Sequence, residues 1–430
     1  MSQRHLSIGR RQFLQGAGAL AAGAAIGTWP LNSVGAAQSS SPAVLEDGKP
    51  EDVGMSSDRL EDVFARIQRR VDQGYFPGAV ALVARKGKIV GHRAFGVRLK
   101  GAAGDTTLDT LFDLESMTKV LATATSAFIL IEKGKLKLTD PVVKYLPDFA
   151  ANKKDKGTVG DMLRYASGLP VDNPKFDTED KEAIWKFMAE TALEYDTGTM
   201  VEYSDLTYRL LGHLIEKVAG EDLNSFATKN IWKPLGMTDT TYNPDPKLRT
   251  RIATTGVGSL GLRNYTIRGE VQDDQDWLLG GIVGCDGVFS TARDIATFCQ
   301  MFLNSGTYNG VQILKPESVK AMITNQSPQL KEADTDLNPT YNLILTPKGY
   351  GWELWTNRFS SGGMRLSPGS YGKAGGAGTF MWVDPVRELF GIILTNHGLP
   401  VPFDEPGWNM MLDKINVYEF FDGIINAITE

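Results

Sequence analysis

"FDLESMTKVL", residues 112–121, joins two patterns. A short apolar piece with strand character ends at Ser116. A nearly apolar helical pattern begins there, and the spacing predicts one helix over 117–133, stopped by Gly134. Residues i and i+3 lie one turn apart on one helix face, so Ser116 and Lys119 can touch. A serine hydroxyl is a weak nucleophile until a neighbour takes its proton, and a lysine held beside it can take or help to move that proton. The amides of a helix N-terminus favour a developing oxyanion. Spacing alone does not decide the matter, because an N-cap serine with a solvated lysine gives the same four letters. The apolar run does weigh on it: a lysine on a buried helix needs a partner.

Outward from this stretch the chain reads as α+β. Residues 57–74, "SDRLEDVFARIQRRVDQG", predict an amphipathic helix capped at Ser57 or Asp58. "GAVALVARKGKIVGHRAFG" (78–96) predicts a hairpin turning at Lys86-Gly87. From 134 to about 290 the signals are mostly helical, and 291–304 and 316–324 continue them. Strand patterns return at 349–355, 378–385 and 388–396, before a last helix over 412–428. Strands at both ends and helices between them predict one antiparallel sheet built from both chain ends, flanked by helices, with an inserted mainly helical region at about 117–290. Residues 38–54 lack any period and read as a linker, leaving 55–430 as the folded domain.

The first 37 residues belong to a different class. Arg10 and Arg11 precede a mild Ala/Gly-rich apolar stretch, and "SVGAA" (33–37) offers small residues for cleavage. This resembles a twin-arginine export signal; a membrane anchor is the alternative, disfavoured by the short length and the Gly/Ala content. The expected location is therefore periplasmic or secreted, with no stable membrane insertion after cleavage. Over the 430 residues, 42% are hydrophobic and 22% charged, with a formal net charge of −6 and no basic run, which speaks against nucleic-acid binding. Two cysteines, Cys285 and Cys299, are too few for a disulfide framework and lack the companions of a zinc site. Cys299 reads as a buried thiol on a helix, and a single disulfide between the two stays open.

Other catalytic plans fit less well. No G-x-S-x-G elbow occurs. Among the histidines, His92 falls in a strand and His213 in a helix, both read as structural, while His397 follows a strand and is a weaker candidate for a cleft. "GVGSLG" (256–261) matches G-x-G-x-x-G, without the strand before it or the helix after it that a dinucleotide fold requires. Trp352, Trp355 and Tyr350 read as either an acyl pocket or core, and the polar, Pro-containing loops 326–349 and 399–410 as a rim.

Three further stretches fall in order behind Ser116-Met117-Thr118-Lys119: "TVGDMLRYASGLP" (158–170), "DTGTMVEYSDLTYRLLGHLIEKVAG" (196–220) and "YGKAGGAGTFMWVDP" (371–385). Together they resemble the serine beta-lactamase and penicillin-binding-protein superfamily over about 55–400, with class C beta-lactamases and their esterase relatives as the most similar branch. "LGGIVGCDGVFSTARDIATF" (279–298) is similar to a stretch of the esterase-like branch that usually has histidine where Cys285 stands, so no role passes to that position. The resemblance implies a beta-lactamase/transpeptidase-like fold and an acyl-enzyme mechanism without metal or organic cofactor. It implies Ser116 as the acylated nucleophile, Lys119 as its helix partner and Tyr203 as the tyrosine that moves the proton. Lys373-Ala374-Gly375 would match the Lys-Thr-Gly strand, and the backbone amides of Ser116 and Gly376 the oxyanion hole. Ammonium groups at Lys119 and Lys373 would favour an anionic or proton-sharing Tyr203, which ordinarily titrates near ~10.

Two positions depart from the family pattern. Asp205 replaces asparagine; as an acceptor it should pair with Lys119 and repel an anionic ligand. Ala374 replaces threonine and removes a hydroxyl that binds carboxylates. Lys373 is kept and suits a carboxylate. The balance predicts a carboxylesterase on small acyl esters. A class C-type beta-lactamase or a D-Ala-D-Ala/D-amino-acid peptidase is the runner-up, and a peptidoglycan- or peptide-binding protein without turnover the reading from another class. The expected partner is a small ester or amide substrate; the oligomeric state is not legible.

Overall fold

The computed structural model describes residues 44–101, 103–172, 179–328, 331–332, 347–356, 360–399 and 411–430. Among these, seven strands make the main sheet: β1 (Glu46–Asp47), β2 (Gly78–Arg85), β3 (Lys88–Gly96), β4 (Glu353–Leu354), β5 (Tyr371–Gly375), β6 (Thr379–Asp384) and β7 (Leu389–Thr395). Their order is β1-β3-β2-β7-β6-β5-β4. The two chain ends meet where β2 pairs antiparallel with β7, from Ala79 opposite Thr395 to Arg85 opposite Leu389. The sheet is antiparallel except at one edge, where β1 runs parallel to β3.

Both faces of this sheet are covered, which is why β2 reads "GAVALVAR" rather than alternating with polar residues. The pleat sends Val80, Leu82 and Ala84 to one core, shared with Met117, Val120 and Leu121. Ala79, Ala81 and Val83 go to the other, shared with Leu60, Phe420 and Phe421. Helices α1 (Ser57–Asp72) and α4 (Val417–Asn426) cover the second face, and α3 (Ala292–Leu303) packs on β2 and β7 from the first. In α1 the buried residues Leu60, Val63, Phe64 and Ile67 follow the i, i+3, i+4, i+7 spacing. Full burial of such side chains contributes roughly 1.5–3 kcal/mol each. Gly91 of β3 is required here, because a Cβ would come 2.5 Å from the Phe64 ring. Helix α2 (Asp205–Ala219) lies in the helical region, beside the segment that carries Ser116.

Four expectations need correction. The α1 cap is Ser56, whose side chain accepts from the Arg59 amide, not Ser57 or Asp58. Residues 44–54 are not a free linker. β1 joins the sheet, Val53 is buried, and the buried Arg85 guanidinium donates to the Val53 and Gly54 carbonyls at 2.6 and 3.0 Å. The 117–133 helix is three pieces: a 3-10 turn at Glu115–Met117, a π segment at Lys119–Ala124 and an α-helix at Thr125–Glu132. Two threonines of this segment bond across to the neighbouring chain: Thr118 Oγ1 accepts from the Val288 amide and Thr123 Oγ1 donates to Gly284 O. The last helix is interrupted at Asn416, which adopts a left-handed φ of 58°.

The helical region also holds a small sheet, in which Phe112–Asp113 and Thr241–Tyr242 both pair with Val288–Ser290. That pairing brings residues 284–290 alongside Ser116. Trp352 is fully buried among Phe298, Phe302 and Tyr371, and Tyr350 packs on Phe128, so both are core. Residues 1–37, where an export signal is expected, residues 38–43 and most of the two expected rim loops lie outside the described residues. Among those described, no helix is long and apolar enough to cross a membrane.

Candidate active site

Ser116 is placed by a strained turn. Phe112–Asp113 is pinned by its strand partner, and Asp113 Oδ1 accepts from the Glu115 amide at 3.2 Å while Oδ2 accepts from the Gln272 amide at 2.9 Å. Glu115 then takes a φ of +45°, which a bulky side chain rarely adopts, and it is buried. From the other side β5 presses on this turn. A Cβ at Gly375 would lie 2.1 Å from Leu114 O, so only glycine permits the approach, and Thr379 Oγ1 donates to that same carbonyl at 3.0 Å. At Gly376 a Cβ would meet the tip of the Leu399 side chain, at 2.4 Å.

Around Ser116 Oγ three groups converge. Lys119 Nζ donates to it at 2.8 Å, Tyr203 OH shares a hydrogen bond with it at 2.6 Å, and Asp286 Oδ1 accepts from it at 3.3 Å. Lys119 is fully buried and also donates to Cys285 O at 3.2 Å. Its main partner is Asp205 Oδ1 at 2.5 Å, with Asp286 Oδ1 at 3.8 Å. The structure thus brings together Ser116, Lys119, Tyr203 and Asp205, the residues named from the sequence, and pairs Lys119 with Asp205. Asp205 is the first residue of α2, and a quarter of its side chain is exposed.

The electrostatics follow from these contacts. Burial would depress Lys119, but Asp205, Tyr203 and Asp286 hold its ammonium well above the usual lysine range. Burial would raise Asp205, but Lys119 and Arg209, one turn along α2, keep its carboxyl below the usual range. Tyr203 departs from expectation. Burial, then the Asp205 carboxylate, push its phenol well above the ordinary value against the pull of Lys119.

The second lysine is placed differently from what the family pattern implies. Lys373 Nζ lies 4.7 Å from the Tyr203 ring centroid, but it is buried and paired with the Glu353 carboxylate at 2.6 Å. Burial lowers its pKa, with Glu353 opposing. Ala374 is not in the site through its side chain, because the next residue of the strand faces the opposite core.

Three residues escaped the sequence reading: Asp286, Glu353 and Lys348, whose Nζ is 6.0 Å from the Tyr203 ring centroid. Each is a charge inside an otherwise apolar or Gly-rich stretch, the signal that had already marked Lys119. Asp205, Cys285 and Asp286 bring their ligand atoms within 4.8 Å of one another, as a metal site would, but the cation among them is the Lys119 ammonium. Both cysteines are free thiols and buried. His397 lines a cavity of about 880 Å³ with Pro77, Val257 and Leu399, whose described lining includes none of the Ser116 cluster. The 256–261 loop wraps a protein carboxylate rather than a nucleotide: the Leu260 and Leu262 amides donate to Asp274 at 2.9 and 3.0 Å.

Comparison with known proteins identifies the family. A sequence model of the family described as Beta-lactamase matches residues 63–413. A Salmonella agona (strain SL483) protein named "Putative D-alanyl-D-alanine carboxypeptidase" is 31% identical over 422 residues, covering 90% of this chain and 92% of that protein. The solved structure of EstCE1, described as a hydrolase with promiscuous acyltransferase activity, superposes with a TM-score of 0.65 at 20% identity, covering 84% of this chain and 99% of that one. Unliganded simvastatin synthase (LovD) from Aspergillus terreus gives 0.67 at 20% identity, covering 86% and 99%. At such identities the two structures speak to the fold alone.

Proposed function

The chain belongs to the beta-lactamase and penicillin-binding-protein superfamily of serine hydrolases, and from that premise we propose that it hydrolyses small neutral acyl esters through an acyl-enzyme on Ser116. The observation that carries the choice of substrate is the pairing of both motif lysines. Lys119 is held by Asp205 at 2.5 Å and Lys373 by Glu353 at 2.6 Å. A substrate carboxylate must compete with a protein carboxylate for either cation, and both protein carboxylates repel it. A neutral ester meets no such penalty. In this reading Lys119 and Tyr203, both hydrogen-bonded to Ser116 Oγ, handle its proton, and the amides of Ser116 and Gly376 receive the oxyanion. Export through residues 1–37 belongs to the same proposal; N-terminal sequencing of the protein recovered outside the cytoplasm checks it.

A second reading, a D-Ala-D-Ala carboxypeptidase, draws on the name of the 31% identical relative. One panel separates them: p-nitrophenyl esters of graded acyl length, nitrocefin and a D-Ala-D-Ala peptide. Ester turnover far above peptide turnover supports the first reading, and the reverse supports the second. Intact-mass spectrometry after fluorophosphonate treatment should show one adduct, absent in Ser116→Ala. An adduct surviving that substitution refutes the acyl-enzyme on Ser116.

A further inference from the structure

Ester hydrolysis turns a neutral substrate into an acid, and the Ser116 cluster is poorly suited to keep one. Its two lysines are paired with Asp205 and Glu353, which repel a carboxylate. The cavity of about 880 Å³ that holds His397 has the opposite balance of charge. Lys100, Lys414 and His397 line it, and no carboxylate belongs to its described lining. We propose that this cavity is a binding site for a monocarboxylate with an apolar body, beside Gly376 and separate from the Ser116 cluster.

The wall supplies both halves of the chemistry such a ligand needs. Pro77, Val97, Val257 and Leu399 offer apolar surface, and the volume lies within the roughly 300–1,000 Å³ typical of small-molecule sites. The His397 ring is fixed by Nδ1, which donates to Gly398 O at 2.7 Å, since a carbonyl oxygen only accepts. Burial chiefly, with the Lys414 and Lys100 ammonium groups adding to it, holds this imidazole below its usual range, against the hydrogen bond to Gly398. A neutral imidazole leaves the two ammonium groups as the charged donors for a carboxylate.

Chain geometry sets this cavity next to the residues that serve the nucleophile. Leu399 lines the cavity, and the tip of its side chain is what a Cβ on Gly376 would meet. The Gly398 amide donates to Ala377 O at 3.0 Å. The buried Gln272 fastens the same wall: its Oε1 accepts from the Leu399 amide at 2.7 Å and its Nε2 donates to Val257 O at 3.0 Å. Its own amide donates to Asp113, on the turn before Ser116, at 2.9 Å. One side chain, Leu399, is thus common to the cavity wall and to the surroundings of Gly376. The acid can be the enzyme's own product, in which case the inference rests on the ester-hydrolase reading above, or an acid made elsewhere; the chemistry that recognises it is the same.

Isothermal titration with octanoate and with octanamide, its neutral counterpart, tests the site. Octanoate should bind saturably and roughly tenfold tighter than octanamide, as two partly exposed charge contacts allow. The Lys100→Met, Lys414→Met double variant should lose that preference, while kcat/KM for a p-nitrophenyl ester stays within a few-fold of wild type. In the wild type, added salt should weaken octanoate and spare octanamide, a check that needs no variant. Protein phosphonylated on Ser116 by a small fluorophosphonate should bind octanoate as before. Absence of saturable binding, a preference that survives the double substitution, or binding abolished by the Ser116 adduct each overturns the proposal. Among acids of graded length, tightest binding of the one matching the best ester substrate marks the enzyme's own product as the source, and tightest binding of another marks an acid made elsewhere. Failure of the wild type to label at Ser116 instead refutes the acyl-enzyme reading, and titration of the untreated protein still decides the cavity, so the two failures are distinct.

Discussion

The ammonium of Lys373 lies 2.6 Å from the carboxylate of Glu353, and both side chains are buried. The strand lysine is therefore an internal ion-pair partner, not a waiting receptor for a substrate carboxylate. Glu353→Gln should uncover it. At pH 6, the nitrocefin-to-ester ratio of kcat/KM should rise several-fold. Removing one partner of a buried pair also costs about 3–5 kcal/mol, so the variant should melt at lower denaturant concentration. An unchanged ratio in a destabilised protein would mean that Glu353 serves packing only.

Asp205→Asn addresses the other lysine. It removes the carboxylate 2.5 Å from Lys119 and supplies an amide donor beside the ligand. The nitrocefin-to-ester ratio should rise by roughly tenfold, equivalent to ~1.4 kcal/mol of transition-state discrimination. Steady-state kinetics on the two substrates checks it. A flat or falling ratio assigns the exclusion of carboxylates elsewhere in the pocket.

Tyr203→Phe removes a hydroxyl hydrogen-bonded to the nucleophile at 2.6 Å without opening a large cavity. The rate should fall by roughly 10²–10³-fold, as when one preorganised donor is lost from a reacting oxygen. Steady-state kinetics on a p-nitrophenyl ester checks it, and a Phe variant within a few-fold of wild type would remove Tyr203 from the proton transfer.

Burial pushes the Asp294 carboxyl up to about 6, although it accepts hydrogen bonds from Thr240 Oγ1 and the Asp239 amide. The folded state therefore binds its proton more tightly than the unfolded chain, where aspartate titrates near ~3.9. Between these values the folded protein carries the extra proton, so stability falls as pH rises. At ~1.4 kcal/mol per unit the full effect is roughly 3 kcal/mol. Asp294→Asn keeps an acceptor and should flatten the stability profile between pH 4 and 6, as measured by urea unfolding. Asp205, with its lowered pKa, has the opposite sign: its contribution is present above ~3.9 and is lost as pH falls through its own lower value.

Local pattern made the hairpin, α1, α3 and the paired strands at 378–396 legible, because each has a clear period and turn chemistry. Motif order made Ser116, Lys119, Tyr203 and Asp205 legible as one cluster. What stayed hidden was set by tertiary contact. Thr118 and Thr123 read as ordinary helix residues until residues 284–288 are laid beside them. Asp286 and Glu353 read as isolated charges until the partner lysines, distant in sequence, are placed. Ala374 illustrates the reverse: its neighbour Lys373 lies in the site, and the pleat alone turns the alanine away.

The pairing of β2 with β7 has a consequence for synthesis. Residues Ala79–Arg85 pair on one side with β3, and find their second partner in Leu389–Thr395, some three hundred residues later. Contacts of such separation close slowly. Until then the apolar β2 strand keeps one bare hydrogen-bonding edge, which invites pairing with other chains. Gly375 and Thr379, which brace the turn at Leu114, come from that same late segment. A nascent or truncated chain ending before β5 should hold Ser116 without its brace, and so carry the nucleophile's sequence without its activity.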